Sequence, residues 1–123
     1  MNNGWIPLRE YPPAAAESEK GKIPTLLMWH VYQGVMPCRA DEWQKNRFFV
    51  YWRPVPDIGW ISTAERVPGN TDKDGNNCVL ARDIDGRIKV TGWHQFETNH
   101  TLTHWMRTPE PPDDFRELRA QSY

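Results

Sequence analysis

The stretch Leu102-Thr103-His104-Trp105-Met106-Arg107-Thr108-Pro109-Glu110-Pro111-Pro112 is a short apolar run closed by prolines, and the chain contains its like once before. Phe49-Val50-Tyr51-Trp52-Arg53-Pro54-Val55-Pro56-Asp57 repeats the design 53 positions earlier: an aromatic run, a Trp, then alternating prolines. Working outward, Trp43 meets Phe96, Val35 meets Ile88, Val31 meets Ile84 and Leu27 meets Leu80 at that same offset. Further upstream the offset becomes 55, where Gly4-Trp5-Ile6 matches Gly59-Trp60-Ile61, Glu10 matches Glu65 and Pro13 matches Pro68. An ordered series of this kind is the signature of an internal duplication.

Strands are the expected material of each copy. Eleven prolines in 123 residues fragment helices and favour short strands and turns. Leu26 to Tyr32 reads as a buried strand with Gln33-Gly34 as its turn. Val35 to Arg39 reads as a second strand, which Pro37 confines to an edge or a bulge. Ala40 to Asn46, polar around Trp43, suits a turn or short helix, and Phe48 to Arg53 closes the copy. In the second copy Cys78 to Arg82 and Arg87 to Trp93 form a hairpin about Asp85-Gly86, with Ile88 and Val90 on one face. Thr101 to Met106 is the closing strand. Ser62 with Glu65 has a capping-box pattern for a short helix ahead of Pro68. Gly69 to Asn77 is a polar loop, expected to be the most mobile segment. Ala14-Ala15-Ala16-Glu17 fits either one helical turn or a surface loop. Asp113 or Asp114 can cap a tail helix through Phe115, Arg116, Glu117, Leu118 and Arg119.

The expected fold is therefore mostly β with minor short helices. It consists of two tandem antiparallel β-meanders of about three strands, related by a pseudo-twofold axis. A module of about 55 residues buries only roughly 60% of its unfolded surface, so one shared core is expected. The boundaries are a single domain over 1–123, with repeats at 4–57 and 59–112 and a tail at 113–123.

Composition narrows the function classes. Fifteen basic and sixteen acidic residues give a net charge of −1, with no basic stripe for a phosphate backbone, so no direct nucleic-acid binding is expected. No run approaches a membrane span, and the N-terminus lacks a basic segment followed by an apolar run, so neither a membrane nor a signal peptide is expected. Cys38 and Cys78 stand alone in different copies and read as reduced thiols of a cytoplasmic protein. Asn99-His100-Thr101 matches a glycosylation sequon that has no use without a secretory route. His100 and His104 have a zinc-ligand spacing, but on a strand they lie about 13 Å apart at about 3.3 Å per residue. No metal and no cofactor are expected. Ser18, Ser62 and Ser122 sit in no nucleophile elbow, and no enzyme activity is expected.

Trp60-Ile61-Ser62, Thr91-Gly92-Trp93, Thr103-His104-Trp105-Met106 and Pro109-Glu110-Pro111-Pro112 resemble the domain of unknown function 551, a family of small phage and prophage proteins. The likeness covers roughly residues 59 to 112. Arg107-Thr108 departs from it, since family members usually carry a proline and a leucine there. The first copy looks like a diverged relative with Tyr51 in the place of His104. The family has no assigned activity, so the resemblance implies a phage accessory protein that acts on host systems.

The aromatic residues are the functional lead. Trp5, Trp52, Trp60 and Trp105 match between copies and read as packing residues. Trp and Tyr are favoured interface anchors, so Trp43, Tyr51, Trp93, His94 and His104 are the candidate partner-binding residues. The leading expectation is an inhibitor of a host bacterial protein, acting as an anti-defence factor. The alternative is sequestration of a small (cyclic) nucleotide immune signal between the repeats. A homodimer is left open.

Overall fold

The computed structural model describes residues 3–13, 24–114 and 116–117. The chain divides into two compact units, residues 1–55 with 109–123, and residues 56–108. The expected helical turn at Ala14 to Glu17 lies outside the described residues, as does most of the expected tail helix.

The first unit holds a four-stranded antiparallel sheet: β1 (Ile6–Pro7), β2 (Thr25–His30), β3 (Gly34–Arg39) and β4 (Phe49–Pro54), in the order β1-β4-β2-β3. The second unit holds β5 (Ile61–Ser62), β6 (Cys78–Asp83), β7 (Ile88–Gly92) and β8 (Leu102–Met106), in the order β5-β8-β6-β7. Both sheets are the mostly β tandem repeat that the sequence predicts. Pro37 lies on β3, an edge strand, where its missing N–H costs no ladder bond.

The strand order departs from a meander. A meander would set β4 beside β3, whereas β4 pairs with the far side of β2. Because β3 and β4 both run antiparallel to β2, the link between them must travel the length of the sheet. Arg39 sits opposite Thr25, and Phe49 sits opposite His30, at the other end. The link lays buried Ala40 and the short 3₁₀ turn Trp43–Lys45 over one sheet face, against Leu8, Leu26 and Met28. The second unit does the same with the 3₁₀ turn Trp93–Glu97, whose Phe96 packs on Val79, Ala81, Leu102 and Trp105. A sheet must bury one apolar face, and here the crossing link supplies the cover.

Duplication extends to individual hydrogen bonds. Leu8 N donates to Val50 O at 3.1 Å, as Thr63 N does to Thr103 O at 3.0 Å. Val31 N donates to Phe48 O, as Ile84 N does to Thr101 O. Asn46 Oδ1 accepts from Phe48 N at 2.9 Å, and Asn99 Oδ1 accepts from Thr101 N at 3.1 Å. Asn99 and Thr101, read as a sequon, thus build the turn that leads into β8. The ladder register also shifts at matching places, between Trp29 and His30 and between Arg82 and Asp83.

The matched tryptophans anchor this scaffold. Trp52 Nε1 donates to Tyr11 O at 2.7 Å, and Trp105 Nε1 donates to Arg66 O at 2.8 Å, at equivalent positions. Each bond contributes about 1 kcal/mol and satisfies a polar atom on a large ring. Trp60 Nε1 donates to Pro56 O, and Trp5 Nε1 donates to Glu110 O. The segment from Pro109, read from sequence as the end of the second repeat, thereby packs with the first unit, where Pro112 is fully buried. Trp29, without an aromatic counterpart in sequence, contacts Trp5 edge-on at 5.8 Å. Arg82 takes its place in the second unit and lies 4.6 Å over Trp60.

One local expectation changes. Ser62 lies in β5 and its Oγ accepts from Ala64 N at 3.2 Å, so it closes a turn and caps no helix. The five residues before Pro68 are too few to repay helix nucleation. The loop 69–77 carries hydrogen bonds at several of its residues. Asp74 Oδ1 accepts from Asn76 N and Cys78 N, Thr108 Oγ1 donates to Asp74 Oδ2, and Trp93 N donates to Asn77 O.

Candidate functional site

The five candidate partner-binding residues divide between the units and differ in availability. Trp43 is half-buried in the first unit. Its position on the crossing link follows from Ala40, which plugs the sheet face and leaves the next turn lying across the edge of the core. Beside it runs a groove of about 330 Å³, floored by Leu8, Trp43 and Phe49 and rimmed by Arg9, Gln44 and Arg47. Arg47 is fixed by its guanidinium, which lies 4.9 Å over the Phe48 ring. Tyr51 is buried, and its hydroxyl donates to the Asp114 carboxylate at 2.9 Å. It therefore holds the tail within the first unit and presents no surface.

In the second unit Trp93 is half-buried against the Val79 and Phe96 cluster, and His94 is exposed with its ring 6.1 Å edge-on to Trp93. His104 lies in β8, half-buried, with Nδ1 3.0 Å from Thr103 Oγ1. His100 stands in the turn before that strand.

The thiols are poor nucleophiles. Burial, then the nearby Glu42 and Asp41 carboxylates, push Cys38 above the ordinary thiol range. Burial and Asp74 do the same to Cys78. Cys38 Sγ donates to Arg39 O and Cys78 Sγ to Asn76 O, both at 3.3 Å. Among the described residues, no three His, Cys, Asp or Glu side chains come together in a way that can hold a metal ion, and no helix is long and apolar enough to cross a membrane.

Sequence reasoning missed a charged cluster in the second unit. The Asp72 side chain is only 3% exposed and lies between two arginines. Arg66 Nη1 reaches its Oδ2 at 2.9 Å, while Arg107 Nη2 and Nε reach its Oδ1 at 3.1 and 3.3 Å. Gly69 N donates to Oδ2 at 2.8 Å. The Arg66 bond, then the Gly69 amide, hold the Asp72 carboxyl down to about 2 against the opposing effect of burial. Arg66, Asp72 and Arg107 line a groove of about 370 Å³ whose apolar wall is Ile61, Trp105 and Met106. The available signal was the polar pair Arg107-Thr108 that interrupts the closing apolar and proline run: Arg107 binds Asp72 and Thr108 binds Asp74.

No known protein family, curated protein or solved structure matches the chain.

Proposed function

We propose that this chain is a non-catalytic binding protein that engages a partner protein through the Trp43 groove of its first unit. The supporting observation is the groove itself: a half-buried Trp beside Leu8 and Phe49, rimmed by Arg9 and Arg47. Aromatic anchors that already sit in a partly desolvated pocket lose little freedom on binding, which is why Trp is enriched among interface hot spots. The two arginines suit a partner segment with an apolar side chain flanked by carboxylates. The weakly nucleophilic thiols agree with a non-catalytic role. The resemblance to small phage and prophage proteins supports a partner from a bacterial host, where the chain would inhibit a host factor such as a defence protein.

The test is capture from a bacterial lysate on the immobilised protein, followed by native mass spectrometry of the eluted complex. A stoichiometric host protein is expected with the wild type. Trp43→Ala should weaken capture by about thirtyfold or more, as a hot-spot truncation of about 2 kcal/mol or more does, and leave the far-UV circular dichroism unchanged. Undiminished capture by a folded Trp43→Ala protein refutes the assignment of the groove.

A further inference from the structure

The Arg66–Asp72–Arg107 cluster does more than staple a loop. A buried carboxylate that holds two guanidinium groups at the mouth of a groove is a device for presenting N–H donors in fixed directions. Arg66 spends Nη1 on Asp72, and Arg107 spends Nε and Nη2. Each guanidinium carries five N–H donors, so both retain others. Their side chains are 55% and 68% exposed, whereas the carboxylate between them is closed off. Arg66 is further fixed by Trp105, over whose ring it lies at 4.8 Å. Charge arithmetic then sets the ligand: two arginines and one aspartate leave +1, which a singly charged anion balances. The wall of Ile61, Trp105 and Met106 adds an apolar surface next to those donors.

We propose that the groove of the second unit binds a small organic monoanion, a phosphodiester or carboxylate joined to an apolar or aromatic body. The oxyanion sits on the outward N–H groups of Arg66 and Arg107, and the body lies against Ile61 and Met106. Ligands of this size match a cavity of about 370 Å³. The first unit has no such site at the matching positions, since Tyr11 stands for Arg66 and Pro54 for Arg107. This site is independent of the Trp43 groove and needs no partner protein.

The experiment is calorimetric titration of the full chain with 3′,5′-cyclic AMP, phenylacetate, sulfate and adenosine as separate probes. At least one of the first two should bind about tenfold or more tightly than sulfate, and adenosine should give no signal. Cyclic AMP alone would identify the phosphodiester class, and phenylacetate alone the carboxylate class. Arg66→Gln and Arg107→Gln should each weaken the preferred probe by about tenfold or more. Arg87→Gln, the same charge change on an exposed turn away from the groove, should leave it intact. Failure of both organic anions to outbind sulfate overturns the proposal, and that result depends on the wild type alone. Equal binding by a folded Arg66→Gln protein overturns it as well.

Discussion

Replacing Asp72 with Asn keeps the side chain's shape and an acceptor for Gly69 N, but removes the charge that Arg66 and Arg107 share. The carboxyl stands at about 2 in the folded protein against an ordinary 3.8. Each pH unit of such a difference corresponds to about 1.36 kcal/mol, which gives an upper figure of about 2.5 kcal/mol. Both arginines are more than half exposed, so solvent screens the pairs. About 1–2 kcal/mol is the expected loss at pH 7. Urea unfolding followed by tryptophan fluorescence measures it, and a slope of about 2 kcal/mol/M, the middle of the usual range, converts the loss to a midpoint lowered by roughly 0.5–1 M. The sign of the pH dependence follows from the depressed value. The folded state binds fewer protons than the unfolded chain, so Asp72 contributes fully above about pH 4 and its contribution is lost as pH falls through about 2. The gap between wild type and Asp72→Asn should therefore close between pH 5 and pH 2. A variant as stable as wild type at pH 7, or a gap that is unchanged at pH 2, would refute this account.

Gly59 has φ +94°, and a Cβ there would meet only Met106 Cε at 3.4 Å. Gly59→Ala should consequently cost about 1–2 kcal/mol from backbone strain alone, read as a lower urea midpoint. Gly4→Ala should cost more, because its Cβ would also come within 3.0 Å of the Arg53 guanidinium at φ +88°. His30 Nδ1 accepts from Tyr32 N and Gln33 N, both at 3.1 Å, with the rings of Tyr32, Phe48 and Phe49 around it. Burial holds its pKa below the ordinary 6.5, so its stabilisation is complete above that pH and is lost as pH falls through the lower folded value. The wild-type Tm should drop between pH 7 and pH 5, and His30→Asn, an acceptor that does not titrate, should flatten that segment of the profile.

Sequence alone determined the features whose causes are local. Alternation, the Asp85-Gly86 turn, Pro37 on an edge and the Gly-Trp-Ile pairs each act within a few residues, and they specify short strands in two copies. The duplication was legible because equivalent positions carry equivalent work, down to the indole bonds of Trp52 and Trp105. Equivalent work does not always need similar residues. His30 and Asp83 both accept backbone N–H groups in the hairpin turn, and no comparison of their types would pair them. Of the candidate site, Trp43 was legible as an aromatic residue in a polar stretch, yet nothing in its neighbourhood separated it from Tyr51, whose hydroxyl is spent on Asp114. Tertiary structure alone decided the strand order, because either neighbour of β2 satisfies the same alternating pattern and only the path of the crossing link distinguishes them. It also decided the charged groove. Asp72 and Arg107 stand 35 residues apart, and a hydrogen bond at 3.1 Å between such positions follows from the closing of the loop upon β8, which no local spacing encodes.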